Sequence, residues 1–355
     1  MNLTDYLIRR IRATGPLTIA DWMTECLLHP TLGYYTTRDP LGTDFTTAPE
    51  ISQMFGEMLG LCLAQAWMDQ GQPQAVLADL GPGRGTLMAD LLRATKGVPG
   101  FHDALSVHLV EASPVLRDRQ AETLAGRQVT WHDRVEDLPD GPLFLVANEF
   151  LDALPIRQWV RDREAWRERL VTEAHGALAF ALGPPVPVPE LDEREDVPDG
   201  TLVERCPALS GLVGSVAAHV AQGGAAIFID YGHWRSQGDT LQAVRGGEKT
   251  DPLALPGQTD LTAHVDFEAI ARAAGPTTPS AMATQGVLLE RLGITARAHA
   301  LAAGMTGAAL ESHITAHRRL THPAEMGDLF KAMALAPPAT PLPPGFDPLP
   351  PEAMT

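Results

Sequence analysis

Two apolar runs in this chain end in polar residues and glycines whose types and spacing could bind a nucleotide. Residues 76–80 form the first run, and residues 107–110 form the second, which stops at Glu111. The first run leads into a turn that contains Gly81, Pro82, Gly83 and Gly85. Glycines permit positive φ and a close approach of the backbone to a ligand, and a carboxylate that follows the second strand can accept both hydroxyls of a ribose. These residues predict a nucleotide cradle between a strand and a helix.

The spacing of the glycines bears on which nucleotide would bind. The turn reads G-x-G-x-G, and Thr86 stands where the dinucleotide fingerprint G-x-G-x-x-G/A has a small residue for close helix packing. The turn therefore favours S-adenosylmethionine over NAD. An oxidoreductase that uses NAD remains an alternative on the same fold, and a tight turn without a ligand is the alternative for the glycines alone.

A further apolar run, residues 142–150, is apolar until Asn148 and Glu149. Ligands of open α/β sheets lie outside the carboxyl ends of the strands, near the point where the strand order reverses. We therefore expect Asn148 and Glu149 to lie where the chemistry takes place.

Strands that alternate with helices predict an α/β fold with a doubly wound, mainly parallel sheet. The predicted organisation has five parts: an N-terminal helical region with a cofactor-covering loop (1–70), a Rossmann-like core (71–155), an inserted antiparallel and linker segment (156–205), the rest of the sheet domain with a helical substrate region (206–336), and a mobile proline-rich tail (337–355). Residues 233–262 show little periodicity, which predicts a lid.

Composition limits the classes of partner and of site. The formal net charge of −17 and the absence of a Lys/Arg stripe argue against nucleic acid as a partner. Three widely spaced cysteines without a C-x-x-C pair predict neither a disulfide framework nor a zinc site. His313 and His317 are four apart, but no third ligand is evident, so we expect no metal. No run is long enough for a membrane span, and we expect the bacterial cytosol as the compartment.

Six blocks of the sequence occur in the order of one known family. They are residues 46–57, 79–93, 110–120, 148–158, 239–245 and 260–267. On these blocks the chain resembles the MidA-type S-adenosylmethionine-dependent methyltransferases, which are related to the mitochondrial complex I assembly methyltransferase. Two positions depart from the family pattern: the loop before Asp44 and Phe45 is shorter, and Gly247 stands where relatives often carry histidine.

The resemblance implies a class I methyltransferase fold and an arginine N-methyltransferase that acts on a core subunit of respiratory complex I. It also implies that Thr47, Pro49 and Glu50 cover the cofactor, with a plain helix cap as the alternative. The sequence does not fix the oligomeric state, for which a homodimer is one option. A methyltransferase-like assembly chaperone with little turnover is the alternative function.

Methyl transfer to arginine requires groups that position a protonated guanidinium. Glu149 and Asp152 could supply a pair of acids, although Glu149 could instead cap a helix. Asn148 could accept from the ammonium of the cofactor or hold the target nitrogen. His264 could take a proton from the product, contact the substrate, or hold the lid in place.

Overall fold

The structure, a computed structural model, describes residues 2–39, 46–194 and 197–354. Asp44 and Phe45, before which the predicted loop is shorter than in the family, lie outside these residues. The chain forms two compact units. The first unit comprises residues 2–39, 152–194, 197–209 and 235–266, and the second comprises residues 46–151, 210–234 and 267–354.

The helices and strands are numbered in chain order. The helices are α1 (Leu3–Thr14), α2 (Ile19–Leu28), α3 (Tyr34–Thr37), α4 (Ala48–Ile51), α5 (Gln53–Asp69), α6 (Thr86–Ala94), α7 (Phe101–Ala104), α8 (Pro114–Thr123), α9 (Leu209–Val220), α10 (Phe267–Ala273), α11 (Gln285–Arg291), α12 (Ile294–Ala302) and α13 (Gly307–Thr321). The strands are β1 (Leu17–Thr18), β2 (Ala75–Leu80), β3 (Leu105–Val110), β4 (Val129–His132), β5 (Leu143–Asn148), β6 (Arg157–Asp162), β7 (Ala165–Ala174), β8 (Ala177–Val186), β9 (Leu202–Arg205), β10 (Gly224–His233), β11 (Gln242–Arg245), β12 (Glu248–Thr250), β13 (Asp260–Thr262), β14 (Val265–Asp266), β15 (Thr278–Pro279), β16 (Ala283–Thr284) and β17 (Phe330–Ala336).

The second unit is built on a mainly parallel sheet. Its strands lie in the order β15-β17-β10-β5-β2-β3-β4, with β16 also paired to β17. The pairs from β10 to β4 are parallel, whereas β17 is antiparallel to β10. The chain runs from β2 outward to β3 and β4 and then returns to the other side of β2 as β5. The strand order therefore reverses between β2 and β5, which is where ligands bind in such sheets. The predicted doubly wound α/β fold is confirmed.

Helix α5 packs along α6, the helix that follows the glycine turn. Gly56 and Gly60 face α6, and a methyl group at either position would lie within 3 Å of an atom of Asp90 or Leu91. The buried Glu57 accepts two hydrogen bonds from Arg297 and one from Arg93, which ties α5 to α12 and α6. These contacts fix the direction in which α6 leaves the turn.

The helical region between residues 48 and 69 is divided into the short α4 and the long α5 by a break at Ser52. Ser52 is extended, with φ −161° and ψ 136°, and its Oγ accepts from the backbone N–H of Met54 as the N-cap of α5. Pro49 and Glu50 therefore belong to the short α4 and not to the first turn of the long helix. Serine favours this break because its hydroxyl caps the free N–H groups of a new helix.

The first unit consists of helices and antiparallel strands. Helix α2 begins with a capping box between Thr18 and Asp21. One sheet has the strand order β1-β7-β6-β9, with β8 also paired to β7, and a second has the order β12-β11-β13. Buried side chains from both helices and both sheets form one core, among them Leu7, Trp22, Val171, Ala243 and Leu261.

This arrangement differs from the predicted division in three respects. The N-terminal helices, the inserted strands and the predicted lid are parts of one unit, because their apolar faces share one core. The segment 233–262 contains the three short strands β11, β12 and β13. Each strand has too few residues to produce a visible alternation of apolar and polar side chains. The proline content of the tail predicts mobility, but in the structure the tail has defined contacts. Phe346 is buried in the core of the second unit, and the Cys62 thiol donates to the carbonyl of Pro344.

Candidate active site

The glycine turn connects β2 to α6 at the point where the strand order reverses. Gly81, Gly83 and Gly85 have φ values of 63°, 55° and 83°, in the region that favours glycine. Gly85 is also the N-cap of α6. A methyl group at Gly81 would lie 2.6 Å from Cδ2 of Phe150, so the residue after Glu149 packs directly on the turn. The turn thus has the backbone geometry that the sequence predicts.

Glu111 directly follows β3, beside the turn. It is 9% exposed, its Oε1 accepts from the N–H of Ser113 at 2.8 Å, and its Oε2 accepts from Nε2 of Gln120 at 3.1 Å. Burial raises the pKa of Glu111, while the hydrogen bonds from Ser113 and Gln120 act in the opposite direction. The carboxylate is therefore held in one orientation by donors that favour its charged form.

Gln120 was not identified as a site residue from the sequence. Its Nε2 donates to the carbonyl of Gly83 at 2.7 Å as well as to Glu111, and its Oε1 accepts from the indole N–H of Trp131 at 2.9 Å. The sequence contains a signal for it. Gln120 lies midway between Leu116 and Leu124 at intervals of four residues, so it occupies the buried stripe of α8, where an apolar residue is expected.

Two buried acceptors at the ends of β2 and β5 point to a ligand with donors. Asp79 is 1% exposed and Asn148 is 7% exposed. Among the described residues, neither Oδ2 of Asp79 nor Oδ1 of Asn148 has a hydrogen-bond partner. Burial, and then the charge of Glu111, raise the pKa of Asp79. A buried acceptor without a donor is costly, so these atoms fit a cationic or N–H group of a bound cofactor. Asp79 was noted in the sequence only for its position before the turn.

Glu149 contacts the segment that precedes α5. Its Oε1 accepts from the N–H of Ala48 at 2.9 Å and from Nδ2 of Asn148 at 3.0 Å. The backbone of Glu149 has φ 51°, which is uncommon for a residue with a side chain and occurs often at functional sites. Oε1 of Glu149 thus caps the first residue of α4. A helix cap is the alternative role that the sequence left open for Glu149.

The predicted covering segment lies against the glycine turn. Thr47 is the N-cap of α4, and Pro49 is buried within this helix. Glu50 accepts from Oγ1 of Thr86 at 2.5 Å and lies 4.0 Å from a guanidinium nitrogen of Arg84. The structure therefore brings this segment together with the turn and with Glu149 in the second unit.

Asp230 holds the backbone that follows Glu149. It is fully buried at β10, and its Oδ2 accepts from the N–H groups of Phe150 and Leu151 at 3.2 and 2.9 Å. Its Oδ1 accepts from the N–H of Tyr231. Because these donors are backbone groups of the strand ends, Asp230 stabilises the conformation in which Glu149 is presented.

Asp152 and His264 belong to the first unit. The carbonyl of Asp152 accepts from the N–H of Ala263 at 3.0 Å, so the structure brings these two predicted residues close to each other. The backbone N–H of His264 donates to Oγ1 of Thr240 at 2.8 Å. Nearby in this unit, the hydroxyl of Tyr35 donates to Oδ1 of Asp260 at 2.7 Å. Burial and the charges of Asp260 and Asp152 raise the pKa of Tyr35.

His313 and His317 each lie close to an acceptor or a hydroxyl of α12. Nε2 of His313 lies 3.0 Å from the carbonyl of Ala298, and Nε2 of His317 lies 3.0 Å from Oγ1 of Thr295. Within residues 2–39, 46–194 and 197–354, no group of three His, Cys, Asp or Glu side chains has the geometry to hold a metal ion. None of the helices in these ranges combines the length and the apolar character that crossing a membrane requires.

Comparisons with known proteins agree with the geometry of the second unit. A family model described as "Putative S-adenosyl-L-methionine-dependent methyltransferase" matches residues 58–283. The mitochondrial protein arginine methyltransferase NDUFAF7 of Xenopus laevis is 36% identical over 94% of this chain and 84% of its own length. The human protein of the same name is 34% identical over 94% of this chain and 82% of its own length.

Two solved structures from Burkholderia thailandensis share the fold, each with a TM-score of 0.79. One is described as a "likely methyl transferase" and contains S-adenosyl-homocysteine; it is 31% identical and covers 94% of this chain and 91% of its own. The other is 30% identical and covers 97% and 94%. The resemblance and the cofactor that the sequence suggested are thereby confirmed, and the cofactor is S-adenosylmethionine rather than NAD. The family model spans more than half of the chain, and the chain belongs to this family of S-adenosylmethionine-dependent methyltransferases.

Proposed function

We propose that the protein is an arginine N-methyltransferase that acts on a core subunit of respiratory complex I. The observation that carries the proposal is the constellation at the strand-order reversal: the glycine turn, two buried acceptors and Glu149 at neighbouring strand ends of one sheet. The relatives named protein arginine methyltransferases support the choice of substrate class. The complex I subunit is the substrate that the family resemblance implies.

The cofactor-binding roles follow from the groups at each strand end. Gly81, Pro82, Gly83 and Gly85 provide the backbone along the methionine part. Glu111 accepts the ribose hydroxyls, with both oxygens already oriented. Oδ1 of Asn148 and Oδ2 of Asp79 accept from the ammonium group, which supplies the donors that these buried atoms need. Thr47, Pro49 and Glu50 cover the cofactor, because α4 lies against the turn and Thr86.

The substrate role of Glu149 follows from charge. S-adenosylmethionine, when bound, supplies an electrophilic methyl group. Arginine is a cation before and after methylation, so each transfer releases one proton, and a carboxylate can orient the guanidinium by charge-assisted hydrogen bonds. We assign this role to Glu149, and we assign Asp152 as a further acid and His264 as the proton acceptor. A substitution of Asp152 and a separate substitution of His264 test these two assignments.

The test uses complex I isolated from cells of the same organism that lack this chain. Incubation with the purified chain and S-adenosylmethionine should add a whole number of methyl groups to arginine in a core subunit, which peptide mass spectrometry locates. Glu149→Gln should lower the rate of methylation about 100-fold or more, as expected for the loss of an orienting charge. Glu136→Gln, which removes an exposed acid, is the matched control and should leave the rate unchanged.

The outcomes separate the two functions that the sequence left open. Arginine methylation that requires Glu149 supports the enzyme. Tight binding of S-adenosylhomocysteine and of the complex I subunit without methylation would instead support an assembly factor. We also propose the bacterial cytosol as the compartment, although the relatives are named mitochondrial.

A further inference from the structure

We propose that Gln120 is a positioning residue for the cofactor, which holds the ribose-binding carboxylate of Glu111 against the glycine turn. This inference rests on the proposed role of Glu111. Gln120 is fully buried, and its amide joins three parts of the second unit: the turn at Gly83, the end of β3 at Glu111, and Trp131 on β4. The NH₂ group of Gln120 therefore hydrogen-bonds both to the turn backbone and to Glu111.

The chemistry of the partners fixes the orientation of the amide. The indole N–H of Trp131 can only donate, so it selects Oε1 of Gln120. The carbonyl of Gly83 can only accept, and the ionised carboxylate of Glu111 can only accept, so both select the NH₂ group. If the amide were flipped, its NH₂ group would face the indole N–H of Trp131, and its oxygen would face the two acceptors of Gly83 and Glu111. Both N–H bonds of the amide and its oxygen are therefore used, and no other side chain of similar length offers this set.

Packing places the amide where it can act on the cofactor site. The Cα of Gln120 lies 3.5 Å from the position that a methyl group on Gly85 would occupy, so α8 contacts the turn at this residue. Leu116 and Leu124, on the same stripe of α8, are buried on either side. A leucine at position 120 would satisfy this packing equally well. The presence of an amide is therefore explained by its hydrogen bonds and not by the fold of the helix.

The electrostatic surroundings of Glu111 give the amide a second effect. The charged and titratable groups that face Glu111 are Asp79 on β2 and Arg117 on α8, while His132 on β4 accepts the Glu111 N–H through its carbonyl. The charge of Glu111 adds to the burial that raises the pKa of Asp79, and the amide N–H of Gln120 favours the charged form of Glu111. Without Gln120, Glu111 would need a higher pH to remain ionised and bind the ribose hydroxyls.

The first experiment measures calorimetric binding of S-adenosylhomocysteine to the wild-type chain and to four variants. Gln120→Leu should weaken binding about 10- to 100-fold, since it removes a hydrogen bond to a charged group. Trp131→Phe should weaken it about 2- to 10-fold, because the amide loses the donor that orients it. The double variant should bind no more weakly than Gln120→Leu alone, because Trp131 acts through Gln120. Glu111→Gln, the fourth variant, reports on the ribose role itself.

The second experiment is the pH dependence of binding in Gln120→Glu, which keeps the shape of the side chain. In the wild type, affinity should fall as the pH is lowered and Glu111 gains a proton. In Gln120→Glu two carboxyl groups adjoin, and binding requires a shared proton between them, so affinity should fall as the pH is raised. A merely structural role of Gln120 predicts two profiles with the same slope. Melting temperatures of all variants identify any that fail to fold, in which case Trp131→Phe and Gln120→Glu decide.

The outcomes distinguish this inference from the function on which it rests. If Glu111→Gln binds S-adenosylhomocysteine like the wild type, the ribose assignment is wrong. If Glu111→Gln weakens binding but Gln120→Leu stays within about twofold of the wild type, a change smaller than one hydrogen bond, only the positioning role is overturned. Additive effects of Trp131→Phe and Gln120→Leu, or equal pH slopes, would also overturn it.

Discussion

Alanine at Gly81 tests whether the glycine turn depends on the ring of Phe150 as well as on its backbone conformation. Gly81 has φ 63°, and a methyl group there would lie 2.6 Å from Cδ2 of Phe150. Gly85 has φ 83°, but the nearest atom to its methyl group would be 3.5 Å away, an ordinary contact. Both substitutions incur about 1–2 kcal/mol for a left-handed backbone. Only Gly81→Ala adds about 1–3 kcal/mol for overpacking.

We therefore expect the free energy of unfolding to fall by about 2–5 kcal/mol in Gly81→Ala and by about 1–2 kcal/mol in Gly85→Ala. Urea unfolding measures both values. Gly126→Ala is the matched control for the backbone contribution, since its φ is 82° and no described atom lies within 4 Å of the added methyl group. In the Gly81→Ala background, Phe150→Ala should recover part of the stability, because it removes the ring from the new methyl group.

The same variants report on the cofactor site. Gly81→Ala should weaken binding of S-adenosylhomocysteine more than about tenfold, since the displaced ring adjoins Glu149 and a shift of 1 Å is costly in a preorganised site. Equal losses of stability in Gly81→Ala and Gly85→Ala would contradict the role given to Phe150. So would a double variant in which Phe150→Ala recovers nothing.

Two further predictions concern parts of the second unit outside the turn. Glu57→Gln should lower the free energy of unfolding at pH 7 by about 2–3 kcal/mol, less than the 3–5 kcal/mol of a fully buried pair, because the side chains of Arg93 and Arg297 are 46% and 38% exposed. Burial alone would raise the pKa of Glu57, but its two arginines lower it. The stabilisation that Glu57 provides should thus be complete above its pKa in the unfolded chain, about 4.3. It should be lost as the pH falls through the lower pKa that Glu57 has in the folded protein. Denaturant unfolding at pH 7 and pH 3 measures this, and equal losses at both would contradict it; Glu122→Gln, in an exposed pair with Arg119, is the control and should change stability by less than about 1 kcal/mol. Deletion of residues 337–355 should lower the melting temperature, because Phe346 leaves the core of the second unit, whereas an unchanged temperature would support the mobile tail that composition predicts.

The parts of the fold that sequence predicts well are those in which one segment carries the whole signal. Strand β2 is a buried apolar run that ends at a glycine turn, and Glu111 and Asn148 are polar residues that follow similar runs. Because each strand of a parallel sheet is buried on both faces, it is recognisable without its neighbours. The glycine turn and the polar residues at the strand ends were therefore predictable.

The parts that sequence does not predict depend on distant partners. The position of Gln120 on the buried stripe of α8 is visible in the sequence, but its hydrogen bonds to Gly83 and Trp131 are visible only in the structure. Strands β11 and β13 have four and three residues, too few for a period, and they are defined by pairing with each other. The burial of Phe346 likewise depends on the core of the second unit against which it packs.

The construction of the first unit from separate stretches of chain has a consequence for its synthesis. Helices α1 and α2 leave the ribosome before the rest of the first unit, but Leu17 pairs with Val171, and the core that encloses Trp22 also requires Ala243 and Leu261. Domains usually fold as units as they emerge, N-terminal first. Here the N-terminal helices must wait, with apolar faces exposed, while most of the second unit is made. The sheet of the second unit is likewise incomplete until β17, the antiparallel neighbour of β10, has been made. The N-terminal helices are therefore exposed to aggregation and to chaperones until β13 has been made, and neither unit can be produced by simply cutting the gene in two.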